Sequence, residues 1–181
     1  MTTRDSADHY GTVTRLLHWA MAVLLLWQIG GMVLKQILGR VPLMAFWVGT
    51  HASIGLLLLV LLLIRASWAF RQRRARPPYQ RGLIGALAKA GHVALYTLML
   101  VVPALAVLRA FGNGKPVQFF GMRLREATGE EIAWMVAPAN MLHGTLAWGL
   151  AALILGHVAM ALVHRFWWRD GMMARMIGRT V

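Results

Sequence analysis

Four long stretches without a formal charge dominate the chain: Leu16–Leu34, Val41–Ile64, Ala90–Leu108 and Ile132–Val163. Each is close to, or longer than, the ~20 apolar residues that carry a helix across hydrocarbon. In lipid only a helix or a closed barrel satisfies its own backbone N–H and C=O groups, so each run predicts a transmembrane helix. The fold expected is all-α: an integral membrane four-helix bundle forming one domain over residues 1–181. Its spans should cover about 14–36, 42–68, 88–110 and 139–165. A soluble bundle with very greasy helices is the competing reading, and run length argues against it. The first run exceeds the ~7–15-residue core of a signal peptide and no small-x-small site follows it, so it is expected to remain.

The residues between the runs refine this outline. Pro77 and Pro78 stop a helix within a basic loop expected over 71–89. Pro103 predicts a kink in the third span. Pro138 predicts a break, with a short interfacial piece before it, a true span from about Ala139, and Asn140 as a cap. Residues 1–13 are polar and expected to be disordered or interfacial, with His9 solvated. Residues 112–131 form the longest outer connection. The tail from Trp167, with Met172, Met173 and Met176, is expected to lie on the inner surface. No internal repeat is present.

Charge sets the orientation. The net charge is +13, which in a soluble protein would point to nucleic acid. Here the basic residues concentrate in three segments: Arg4 and Arg15; Arg65 to Lys89; and Arg165, Arg169, Arg175 and Arg179. With four spans these share one side, which the positive-inside rule makes the cytoplasm, so both termini are expected there. The run from Arg71 to Arg81 then lies on anionic lipid, and no nucleic-acid partner is expected. The outer connections hold Lys35, Arg40, Arg109, Lys115, Arg123 and Arg125 against Glu126, Glu130 and Glu131. The chain has no cysteine, which excludes disulfides, Fe–S clusters, thiolate metal sites and covalent c-type haem attachment.

The candidate chemistry lies in the histidines. His143 and His157 are fourteen residues apart in one uncharged run, so on a helix they share a face, roughly 21 Å apart along the axis. Polar rings at such depths usually mark function. His51 matches His143 at the outer level; His18, His92, His157 and His164 compete at the inner level. Gly55, Gly144 and Gly156 would give room beside the rings, although small residues also serve helix packing. A lone His near a membrane end, such as His18, His92 or His164, is commonly interfacial. Zinc transport or proton relay would call for carboxylates within the spans, and all six acids lie outside them. A bulky apolar ligand with two open axial positions, haem, suits paired neutral imidazoles.

The motifs RLLHW, THASIG, GHVALY, GNGKPVQFFG and LHGTLAWGLAALILGHVAMALVHRFWWRDGMMARM, in this order, resemble the bacterial cytochrome b561 family over nearly the whole chain. The resemblance implies a bundle holding two b-type haems, with His18 and His157 as the inner axial pair and His51 and His143 as the outer. It places His92 and His164, beside Arg81, near an inner quinone site. It further implies a superoxide oxidase of the bacterial inner membrane, passing electrons from superoxide at the periplasmic face to ubiquinone near the cytoplasmic side. Arg109, Lys115, Arg123 and Arg125 are then candidates for steering superoxide inward. The alternative is a haem relay subunit linking a periplasmic redox protein or dehydrogenase to the quinone pool.

Overall fold

The computed structural model describes residues 2–39 and 41–178; Arg40 and Arg179, counted in the charge balance above, lie outside them. Four helices are long and apolar enough to cross a membrane. They are α1 (Thr12–Leu38), α2 (Pro42–Arg71), α3 (Gly82–Gly112) and α4 (Ala133–Leu162), the last continued by a π-helical turn, Val163–Trp168. A short α5 (Met172–Ile177) follows. Each long helix exceeds the hydrocarbon thickness, which ~20 residues span. Their outward faces are apolar: Leu16, Val23, Leu26, Leu155 and Trp134 are all exposed. This is the inverse of a soluble bundle and follows from lipid being as apolar as the core.

The helices pack as two antiparallel hairpins. α1 lies along α2, and α3 lies along α4; α2 touches α3 less closely, and α4 has no comparable contact with α1 or α2. The tightest core belongs to the first hairpin, where Met21, Ile54, Leu58 and Leu62 bury together against Leu24, Leu25 and Trp27, with Tyr96 and Met99 from α3. Between α2, α3 and α4 a cleft opens towards one end of the bundle, lined by His51, Ala106 and His143.

An aromatic clasp closes one end of the first hairpin. The Trp27 and Trp47 rings stack at 4.4 Å. Trp47 Nε1–H donates to the Trp27 carbonyl at 3.0 Å, and Trp27 Nε1–H donates to Thr50 Oγ1 at 3.1 Å. The approach requires Gly31, because a Cβ there would overlap the Trp47 ring. Gly31→Val is therefore expected to destabilise the protein by about 1–3 kcal/mol, the usual penalty for overpacking. Thermal unfolding in detergent, followed by circular dichroism, should show a lowered midpoint; an unchanged midpoint would mean that the ring moves aside freely.

Several local expectations are corrected. α4 begins at Ala133 and runs through Pro138. Pro138 is the sixth residue of α4, so its missing N–H leaves the Trp134 carbonyl without a helical donor, and the helix continues past it. Asn140 is thus no cap; its Oδ1 accepts from Arg109 Nη1 at 3.3 Å. α3 starts at Gly82, so the basic loop ends earlier than position 89 and Lys89 is helical.

Residues 2–11 fold into a strap rather than a free tail. Asp5 is buried, accepts the Gly11 amide at 2.8 Å and pairs with Arg76 Nε at 2.8 Å. His9 is half-buried and bonded at both ring nitrogens, to Ser6 and Thr2. Residues 112–131 hold a hairpin, β1 (Val117–Phe119) paired antiparallel with β2 (Met122–Arg125). Its two central residues, Phe120 and Gly121, both have positive φ, the conformation of a twisted two-residue turn.

The strap, the basic loop and the tail meet at one end of the bundle. Arg76 holds Asp5, Gln80 Nε2 donates to Asp170, and Trp19 Nε1 donates to the Met176 carbonyl. The three basic segments therefore share one end, and the β-hairpin lies at the other.

Candidate functional site

The helix hairpins bring four of the seven histidines together in two pairs. At the β-hairpin end, His51 of α2 faces His143 of α4 with ring centres 6.2 Å apart. At the basic end, His18 of α1 faces His157 of α4 at 6.3 Å. With metal–imidazole bonds of about 2.0–2.1 Å and ring centres roughly 1.1 Å behind the ligating nitrogens, two rings on opposite sides of one ion stand about 6.3 Å apart. Both pairs fit a metal held axially between them.

The hydrogen bonding favours ligation. His143 Nδ1 lies 3.0 Å from the Val102 carbonyl. A carbonyl only accepts, so Nδ1 carries the proton and Nε2 keeps its lone pair for the cleft. The His51 backbone is fixed from behind, its carbonyl accepting from Gln28 Nε2 at 3.0 Å. Gln28 fills the space over Gly55, 3.4 Å from where a Cβ would stand, so Gly55 gives no room for a ligand. Gly49 does border open space. At the other level, His18 Nδ1 is buried without a hydrogen-bond partner, a state a polar nitrogen rarely keeps.

The His51–His143 pair borders a cavity of about 490 Å³, within the range of small-molecule and cofactor sites. Gly49 and Ser53 of α2, Ala106 and Arg109 of α3, and Phe120 of the β-hairpin also line it. The β-hairpin is tied over this mouth, since the Phe120 amide donates to Ser53 Oγ at 2.8 Å. Of the four basic residues expected here, Arg109 alone lines the cavity. Arg123 pairs with Glu126 at 3.0 Å. Arg125 donates to the Phe111 carbonyl at 2.7 Å and covers the Phe111 ring. Lys115 is exposed, and its backbone amide donates to Asn113.

The basic end separates its candidates. His92 packs 5.4 Å from His157 and 5.8 Å from Tyr79, its Nδ1–H donating to the Ala88 carbonyl at 2.7 Å. Its spacing to His157 is shorter than the other two pairs show, whereas His18–His157 reproduces the His51–His143 distance. His164 stands apart: its Nδ1 meets Asp170 at 2.5 Å, and Trp168 lies edge-on beside it. Burial works against the Asp170 charge, but the hydrogen bonds from His164 and the Met172 amide outweigh it and hold the carboxyl below its ordinary value. Arg81 is exposed at the start of α3.

Sequence reasoning missed three residues around this end. Arg65 lies with its guanidinium 5.6 Å from the Tyr96 ring, and its charge acts on His18, His92 and His157 alike. Tyr10 and Tyr79 were also missed. Burial pushes both phenols above their ordinary value, so they stay protonated donors at neutral pH. No spacing rule flags them, because the strap and loop that carry them show no helical period.

Residues 9–179 match the family model described as prokaryotic cytochrome b561. Among curated proteins, the chain is similar to cytochrome b561 homolog 2 of Escherichia coli strain K12. The two are 29% identical over 188 aligned positions, which cover 99% of this chain and 97% of that protein.

Proposed function

The chain belongs to the prokaryotic cytochrome b561 family, and on that premise we propose that it oxidises superoxide at its β-hairpin end and reduces a quinone at its basic end. Membership makes it a multi-pass bacterial membrane protein of electron transfer and implies haem b. The finer reading is two haems, one on His51 and His143 and one on His18 and His157, in the inner membrane with the basic end cytoplasmic. The observation that carries it is the repeated histidine spacing, 6.2 and 6.3 Å, between α4 and its partners on α2 and α1. Haem, held by these histidines, would supply a one-electron couple.

The residues of the chain do the rest. Arg109 gives the cavity beside His51 and His143 a fixed positive charge, which raises the local concentration of a small anion. Asn140 orients that guanidinium. Each superoxide loses one electron and leaves as dioxygen; a quinone gains two electrons and two protons. His92 and Tyr79 stand together beside His157, where an imidazole and a protonated phenol can hydrogen-bond a quinone carbonyl and hand it protons.

The test is to mix oxidised protein with superoxide at several ionic strengths, then add a water-soluble ubiquinone. Rapid reduction followed by reoxidation is expected. Arg109→Gln should lower the second-order rate by about tenfold and flatten its salt dependence, with haem content unchanged. Indifference to superoxide in a protein that still exchanges electrons with quinone would overturn the oxidase reading and assign the chain to a relay fed by a periplasmic redox protein.

A further inference from the structure

We infer that Arg65 is the anchor for a carboxylate of the group held between His18 and His157, which for haem b is a propionate. The inference rests on that pair being axial ligands. It starts from a guanidinium in the wrong surroundings. Arg65 sits in the last turns of α2, its Nε buried without a hydrogen-bond partner. Arginine cannot escape burial by losing its proton, so an anion must meet it or the buried charge stays uncompensated.

No carboxylate among the described residues is that anion. Asp5 is taken by Arg76, Glu126 by Arg123 and Asp170 by His164. Asp8 is exposed within the strap. Glu130 and Glu131 lie between the β-hairpin and α4, at the far end of the bundle. The groups whose charges reach Arg65 are Tyr96, Arg76 and Tyr10. Arg76 is another cation, and burial keeps the Tyr10 phenol protonated at neutral pH. Tyr96 meets the guanidinium through its ring face and through a side-chain hydrogen bond, which stabilise a cation but supply no carboxylate to the buried Nε.

The position identifies the missing partner. Arg65 packs against Tyr96, one turn along α3 from His92, and the His92 ring stands 5.4 Å from His157, so the guanidinium lies near the level of the basic-end pair. A haem there presents two carboxylates at one edge, and a planar guanidinium binds a carboxylate in a bidentate fork. An anionic lipid phosphate has the same chemistry for arginine but would approach from the membrane surface. The strap is pinned by Asp5 to Arg76 at that end of the bundle.

The experiment follows haem loss from the detergent-purified holoprotein to an excess of a haem-scavenging globin. Arg65→Gln should accelerate loss from one site by about tenfold or more, the worth of a charge-assisted bond, and Arg65→Lys by less. Protein rebuilt with haem dimethyl ester, which has no free carboxylates, should lose that haem as fast as the Gln variant loses ordinary haem. Esterification should add little in the variant itself, because the two changes remove the same contact. Equal effects of esterification in wild type and Arg65→Gln would overturn the inference. If loss instead depends on added phosphatidylglycerol only when Arg65 is present, the anion is a lipid headgroup and the propionate is wrong. Comparing the two haems in the wild type needs no variant to fold. A wild type with a single site, or a His157 variant that keeps both, would refute the axial pair itself, an outcome distinct from two sites indifferent to Arg65.

Discussion

A chain carrying His143→Ala binds about one haem where the native chain binds about two, on the reading that each histidine pair holds one. The expectation follows from the division of labour among the helices. α4 supplies one ring to each level, and these rings face partners on different helices. Removing His143 leaves His51 alone at the edge of a 490 Å³ cavity, where a single axial bond must hold the group. The change also removes the donor to the Val102 carbonyl, which helps fix α3 against α4. The His18–His157 level lies four turns away, roughly 21 Å along the axis, and should keep its haem. Haem per chain by pyridine haemochrome, with protein by amino-acid analysis, measures the ratio. A variant that keeps about two haems would remove His143 from the ligand set.

The second large effect distinguishes two neighbouring rings at the basic end. His157→Ala should lose the haem of that level, and His92→Ala should keep both while slowing quinone reduction by about a hundredfold, the usual worth of a proton-transfer group. His92 is closer to His157 than His18 is, so proximity alone does not decide. Spacing does: the His18–His157 distance repeats that of His51–His143, and the shorter one leaves too little room for an ion between rings. Stopped-flow oxidation of the reduced protein by quinone, with absorption spectra of each variant, reads both quantities. Loss of a haem from His92→Ala would put His92 in the ligand set and free His18 from it.

The four spans were legible because hydrocarbon demands long uncharged runs and little else in a chain of this size produces them. The stripe of His143 and His157 was legible for the same reason: helical geometry turns a separation of fourteen into one face. What escaped depends on contacts between distant segments. Asp5 looks like one more polar residue near the start of the chain, and only the fold shows Arg76 and the Gly11 amide closing on it. Arg65 counts equally with its basic neighbours in a charge tally, but burial separates it from them. The β-hairpin over residues 117–125 has no alternating apolar pattern strong enough to announce strands. Pro138 was misjudged because a single lost backbone bond, to the Trp134 carbonyl, does not end a helix whose other bonds continue on both sides.

The division into two helix hairpins also bears on how the protein is made. A four-helix bundle with a continuous core can complete its packing as soon as the last helix enters the membrane. Here the two halves meet mainly where α2 touches α3, and the remaining interface is lined by imidazoles that hydrocarbon solvates poorly. On the proposed reading of two haems held by these histidines, a newly inserted chain is unfinished until something flat and apolar fills the seam. Cofactor supply then acts as a maturation step. Chains made faster than haem is delivered would accumulate with the seam open, and membrane proteases could recognise them by it.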